Sequence, residues 1–190
     1  MPKNRDAANK LFETAERQQG YFTYKQALAA GYYRRAAHFY AKTGEWLREK
    51  RGIYRLARFP IADRPDLVIW SLWSADRKGD PQGTYSHQTA LSLYDITDVN
   101  PAKIHMTVPR SFRKGTSLPK ILVLHKADIP RSDVSLFQGY QATSPARTIR
   151  DMLEAGVMQP QDIKAGLRQA VQKGLITRDE ADKIVFPKDV

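Results

Sequence analysis

Cysteine is absent from the 190-residue chain, which excludes disulfides, thiolate metal sites and cysteine nucleophiles. Long apolar runs are absent too: no stretch approaches the roughly 18 residues that a membrane-spanning helix requires. The opening residues MPKNRDAANKLFETAERQQG hold no apolar core of a signal peptide. The expected location is therefore the cytoplasm, with no membrane partner. No Gly-rich phosphate loop follows a strand-like run, and no G-x-S-x-G elbow is present. The four histidines, His38, His87, His105 and His125, include no pair at ligand spacing on one helix. A metal-dependent nuclease needs clustered carboxylates, and neither Asp128 nor Asp133 forms such a set with Lys126. Internal repeats and low-complexity tracts are also missing. The expectation is a protein with no catalytic residue, no metal and no cofactor.

What is present is a globular composition, 42% hydrophobic, carrying a large and unevenly placed positive charge. The net charge is +11. Residues 1–60 hold 13 Lys and Arg against 5 Asp and Glu, a net of +8, whereas residues 61–190 hold 18 against 15, a net of +3. Basic charge concentrated in the first third of a chain points to a polyanion, either nucleic acid or an acidic surface.

The pattern of those first sixty residues narrows the choice. Over residues 4–18, Ala8, Leu11, Phe12 and Ala15 fall at i, i+3, i+4 and i+7, the spacing of one buried helical stripe. In FTYKQALAAG, Thr23 and Gln26 form a capping box, Phe22 and Ala27 occupy the staple positions, and Gly31 supplies a left-handed stop. A third helix is predicted over 33–43, with Gly44 as its stop. Its inward stripe comprises Tyr33, Ala37, Tyr40 and Ala41, and its outward face Arg34, Arg35, His38 and Lys42. Phe39 lies on the boundary, placed either to complete the core or to touch a thymine methyl. Arg pairs bidentately with guanine, and Lys and Arg neutralise phosphates, so this face suits a DNA major groove. The stretch EWLREKRGIYRLA then alternates around a tight basic tip at Lys50, Arg51 and Gly52. Three short helices followed by a basic hairpin is the chain order of a winged helix-turn-helix. Arg48, Lys50, Arg51 and Arg55 are the expected phosphate contacts of the hairpin.

The order FTYKQALAAG…RRAAHFYAKTGEWLREKRGIYRL resembles the N-terminal domain of AbiEi-type antitoxins, from abortive-infection and type IV toxin–antitoxin systems. The match runs through Gly44, Glu45, Trp46, Leu47 and Arg48, and then Arg51, Gly52, Ile53, Tyr54 and Arg55. Glu49 stands where that family usually has an apolar residue, and Tyr33 where a small hydroxyl residue often caps the helix. Two later stretches extend the resemblance: Ser86, His87 and Ala90 in YSHQTALSLYDIT, and Thr143, Pro145, Arg147 and Thr148 in TSPARTIRDML. The resemblance implies an autorepressor that binds double-stranded operator DNA and an antitoxin that neutralises a nucleotidyltransferase-like toxin. Two other classes stay open on the residues alone. One is a nucleic-acid-modifying enzyme targeted by the winged helix, and the other is a module, or regulator without a toxin, whose basic face meets a polyanion or an acidic protein.

Beyond residue 60 the chain reads as mixed α/β. The proline-punctuated stretch 58–66 is the expected boundary between a domain at 1–60 and a partner domain at 61–190. DLVIWSLWSADR and YSHQTALSLYDIT read as helices, the second with Ser86 as N-cap, and KIHMTVP and KILVLHKADI as strands. A strand then leads through Ser144 and Pro145 into a helix stopped by Gly156. The C-terminus is helical, with a helix over 162–173 and a capping box at Thr177 and Glu180. Residues 157–190 match no family pattern. Ser86 and His87 admit two readings, a phosphate or partner site at a helix start or a cap with a packed histidine. Arg147, in a helical first turn where a cation opposes the dipole, either pairs with an internal carboxylate or contacts a partner together with Thr148.

Overall fold

The computed structural model describes residues 5–61 and 63–186; Asn4, included in the first predicted helix, and Pro187–Val190 of the tail lie outside the described residues. The protein is mixed α/β with two sheets. Its residues fall into two compact units, one running to Gln82 and including Phe137–Tyr140, the other formed by Gly83–Leu136 and the residues from Gln141 onward. None of the helices among the described residues is long and apolar enough to cross a membrane.

The first unit begins with α1 (Arg5–Glu16), which buries Ala7, Leu11 and Ala15. The stripe is rotated from the expected one: Phe12 is 49% exposed and its ring lies 6.2 Å from that of Phe59. A three-residue strand, β1 (Tyr21–Thr23), follows, and all three of its residues are buried. It was not legible as a strand, because three residues buried on both faces show no alternation. α2 (Tyr24–Ala29) starts with the predicted capping box: the Gln26 N–H donates to Thr23 Oγ1 at 3.2 Å, and the Thr23 N–H donates to Gln26 Oε1 at 2.7 Å. It ends in paired bonds from Gly31 N–H to the Leu28 carbonyl and from Tyr32 N–H to the Ala27 carbonyl, both 3.0 Å. That pairing needs a left-handed residue after the cap, and Gly31 has φ of +103°. The same pair of bonds recurs at Gly44 and Glu45 after α3 (Ala36–Lys42).

β2 (Trp46–Lys50) and β3 (Ile53–Leu56) form an antiparallel hairpin, and β1 pairs antiparallel with β3, so the sheet order is β1-β3-β2. The core under it gathers Leu11, Ala15, Phe22, Ala27, Ala36, Ala37 and Trp46. On the other side of the chain boundary expected near residue 60, α4 (Pro65–Trp73) belongs to this first unit rather than to the second. Its Val68 and Leu72 pack with Tyr21 and Ile53 in one buried cluster. Proline punctuation at 58–66 marked a turn within the unit, and burial of the apolar face of α4 against the sheet moved the boundary to Gln82 and Gly83.

The second sheet, which apart from Phe137 and Tyr140 belongs to the second unit, is made by β4 (Thr84–Tyr85), β5 (Ile104–Val108), β6 (Leu122–Lys126), β7 (Val134–Phe137) and β8 (Tyr140–Thr143) in the order β6-β5-β4-β8-β7. The two predicted strands, β5 and β6, are parallel neighbours with Ile104 opposite Leu122 and Val108 opposite Lys126. α5 (His87–Tyr94), α6 (Pro145–Ala155), α7 (Pro160–Gln172) and α8 (Arg178–Asp182) share a core of Leu91, Ile96, Ile149, Met152, Ile163, Ala170, Ile176 and Ile184. The helix starts follow local chemistry. Ser144 accepts from the Arg147 N–H, and Thr177 and Glu180 form a complete capping box.

Trp46 is 3% exposed at the centre of the first unit's core. Trp46→Ala is expected to cost about 3–5 kcal/mol, the range for truncating a buried large aromatic. Urea unfolding followed by circular dichroism measures this; a loss below about 1 kcal/mol would show that the indole is not central to the core.

Candidate functional site

The basic surface of the first unit is built on α3 and the hairpin. The helix is shorter than the predicted 33–43. The Tyr24 hydroxyl donates to the Arg34 carbonyl at 2.8 Å and the Ala36 N–H to the Tyr33 carbonyl at 2.9 Å, holding the two preceding residues in a turn. Arg34 and Arg35 therefore sit on the approach to α3, with Arg35 as an N-cap whose side chain makes no capping bond. Tyr33 lies outside the helix and is 44% exposed, not inward as its spacing suggested. Within the helix, Ala36 and Ala37 are buried, Tyr40 and Ala41 are half-buried, and His38, Phe39 and Lys42 are exposed. Lys42 stands in the last turn, where its charge complements the helix dipole.

The hairpin distributes its basic residues unevenly. Arg48 and Arg51 are exposed, and no carboxylate pairs with either among the described residues. Lys50 is exposed but leans over the indole of Trp70 at 4.3 Å, a cation–π contact that fixes its position. Arg55 departs from its expected role as a phosphate contact. It is only 8% exposed, with Nε donating to Glu49 Oε1 at 3.1 Å and a terminal nitrogen donating to the Phe59 carbonyl at 3.0 Å. The register shift between Arg48 and Lys50 sits at Glu49, whose carboxylate is held by Arg55. A hairpin arginine is available to an anion only when no internal carbonyl or carboxylate claims it, and spacing does not report that.

The second unit holds a polar cluster that the sequence left scattered. His87 opens α5, His105 lies on β5 and His125 on β6. The His87 and His125 rings stack with centroids 3.7 Å apart and planes 13° apart, while His105 Nδ1 is 3.1 Å from His125 Nε2. The His105 and His125 ring centroids are 5.3 Å apart, close to that nitrogen gap plus two ring radii. The two nitrogens thus face each other in line, as a shared-proton hydrogen bond requires, rather than converging on a common ion. Among the described residues no group of three His, Cys, Asp or Glu side chains is placed to hold a metal. Ser86 is fully buried and does not cap α5 with its side chain; its hydroxyl accepts from Thr107 Oγ1 at 2.8 Å and lies 2.9 Å from His87 Nδ1. Burial of Ser86 removes it as a phosphate or partner contact and leaves it as an internal link between strand and histidine. The three histidines were missed because they come from three elements far apart in sequence; the adjacency of β5 and β6, with His105 and His125 each in a short strand, was the one available signal.

Arg147 takes the internal alternative. Its Nε donates to Asp151 Oδ1 at 2.6 Å and another nitrogen to Asp133 Oδ2 at 3.1 Å, and Asp133 also accepts from Arg150. Two carboxylates offset the unfavourable position of Arg147 in the first turn. Thr148 is buried, its hydroxyl 2.7 Å from that of Thr143 and donating to the Ser144 carbonyl at 2.9 Å. Thr148 therefore ties the start of α6 to β8 and is not placed for partner contact.

Burial lowers the pKa of His87 and of His125 to about 4, reinforced by His105 and Arg147 around the first and by His87 and His105 around the second. Burial followed by Lys103 lowers His105 as well. The folded rings are neutral where the unfolded rings already take protons, so stability present above pH 6.5 is lost as the pH falls towards about 4. Asp151, whose carboxyl is raised mainly by burial, works in the opposite direction. The expected result is a fall of the second unit's thermal midpoint, on the order of 5–10 °C, over that window. His125→Phe keeps a ring and removes a titrating group, so its midpoint should vary less with pH; an unchanged pH profile in this variant would contradict the assignment.

Residues 9–57 match the model of the family described as transcriptional regulator, AbiEi antitoxin. This stretch covers α2, α3 and the whole hairpin, together with most of α1. No curated protein matches the chain. Among solved structures it is similar to the crystal structure of the RV2827C protein from Mycobacterium tuberculosis, with a TM-score of 0.53 at 13% identity over 93% of this chain and 70% of that one. At that identity the likeness is one of fold.

Proposed function

We propose that the first unit is a winged helix-turn-helix that binds double-stranded operator DNA, and that the chain is an autorepressor and antitoxin neutralising a nucleotidyltransferase-like toxin. The observation that carries the DNA reading is the exposure of the basic residues on and before α3 and of Arg48, Lys50 and Arg51 on the hairpin, all within the residues that match the AbiEi regulator family. The order helix, strand, helix, helix, hairpin, with β1 added to β3, supports the winged reading. In this arrangement α3 enters the major groove, where Arg35, His38 and Lys42 face the base edges and Arg34 flanks them from the preceding turn. Arg48, Arg51 and Lys50 lie along phosphates, with Arg51 at the tip. Arg55 acts from within, holding the two hairpin strands through Glu49. The antitoxin reading rests on the family's description and assigns the second unit to the toxin. Within that unit His105 and His125 are engaged with one another, and Arg147 is held by Asp133 and Asp151.

Fluorescence anisotropy with the duplex upstream of the gene tests the DNA reading. Arg34→Ala, Arg35→Ala and Arg51→Ala should each weaken binding and lower the slope of log affinity against log salt by about 1 for every phosphate contact removed. Arg55→Ala should instead lower thermal stability. Unchanged binding in the Arg34, Arg35 and Arg51 triple variant would remove α3 and the hairpin from the interface. Co-expression with a nucleotidyltransferase-like protein encoded next to this gene tests the second half, with the presence of such a gene and relief of its growth arrest as the expected result. Persistent arrest would leave a DNA-binding regulator without that partner.

A further inference from the structure

α3 carries an apolar side chain in the middle of its basic face. Arg35, Phe39 and Lys42 follow one another at i, i+4 and i+7, with His38 at i+3, so the four occupy a single stripe. All four are exposed, and Phe39 is 48% so. The core does not use it: the buried cluster takes Ala36, Ala37 and Trp46, with Tyr40 packed against it. The Phe39 ring meets Tyr40 edge-on, with centroids 5.1 Å apart and planes at 87°, and Tyr40 in turn stacks on Trp46 at 4.9 Å and 24°. The base of the phenyl ring is thereby braced through Tyr40 by the core, while its outer half is presented between three basic side chains.

We infer that Phe39 is a specificity-determining residue that reads the 5-methyl group of a thymine in the major groove. The inference rests on the DNA-binding reading above. A phenyl ring gains nothing from phosphate oxygens and cannot exchange hydrogen bonds with base edges. Of the groups displayed in the major groove, the thymine methyl is the apolar one. The edge-on contact with Tyr40 gives the ring one packed neighbour from which to meet a methyl group, and the area buried there is lost when the methyl is absent. The neighbouring Arg35, His38 and Lys42 hold the helix in the groove, and Phe39 adds a preference for thymine over cytosine and over uracil at one position. A ring inserted as a wedge between base pairs would be indifferent to the methyl, so the thymine-to-uracil comparison separates that role from this one.

The full-length protein is used to select a duplex from a random-sequence library, and each thymine in the selected duplex is then replaced by deoxyuridine, which removes the methyl and retains pairing. The expected result is one thymine per bound helix whose replacement weakens binding about fourfold, the value of one buried methyl. With Phe39→Ala, binding is weaker overall, the salt slope is unchanged, and the thymine and uracil duplexes bind alike. Phe39→Leu, which keeps an apolar contact, retains part of the preference and serves where the alanine variant melts below the wild type. If every thymine-to-uracil change is neutral for the wild type, the inference fails while DNA binding stands. If Phe39→Ala and Phe39→Leu keep the full methyl preference, another residue reads it and the assignment is overturned. If no duplex is enriched or bound, the DNA-binding reading itself fails and the inference with it.

Discussion

The packing of Trp46 is the contact on which the first unit's surface depends. The indole stands directly after the stop at Gly44 and opens the hairpin, so it is shared by α3 and β2. Phe22 from β1 meets it edge-on at 4.8 Å, Tyr32 from the connection before α3 at 5.0 Å, and Tyr40 of α3 stacks on it at 4.9 Å. Tyr54 of β3 closes the set at 5.9 Å. Aromatic contacts of this kind carry orientation as well as buried area. One side chain therefore fixes how α3 is rolled, and that roll decides which residues face outward. With Ala36 and Ala37 pressed inward by the same cluster, His38, Phe39 and Lys42 have nowhere to go but out.

Charge in this protein divides by partner rather than by sequence position. The arginines at 34, 35, 48 and 51 are exposed, whereas Arg55 and Arg147 are held by Glu49, Asp133 and Asp151. The exposed set lies in the segment matched by the AbiEi regulator family. Removing one partner of the enclosed set would leave the other charge largely buried without compensation, at a cost to stability. The histidines repeat the lesson: His38 is exposed on α3, and the other three are packed against one another.

Much of the local architecture was legible because its causes are local. The capping boxes at Thr23 and Thr177, the stops at Gly31, Gly44 and Gly156, and the entry through Ser144 and Pro145 each rest on contacts within a few residues, and β5 and β6 announce themselves by runs of branched apolar residues. The basic tip of the hairpin was legible for the same reason. The illegible features depend on partners distant in the chain. β1 exists only because β3 pairs with it, and the start of α3 was set partly by a bond from Tyr24. The roll of α1 placed Ala7 rather than Ala8 in the core, and α4 joined the first unit through contacts with Tyr21 and Ile53.

By itself, then, the amino-acid order determined which caps and stops the helices use, where the basic charge concentrates, and that a hairpin follows three short helices, since propensity, capping and turn chemistry act over a handful of residues. Only the tertiary structure decided which arginines face solvent, that Ser86 and Thr148 are internal, that three histidines meet, and that Phe39 is outside the core. Those outcomes follow from which groups desolvate one another across long chain separations, and no spacing in the sequence encodes that directly.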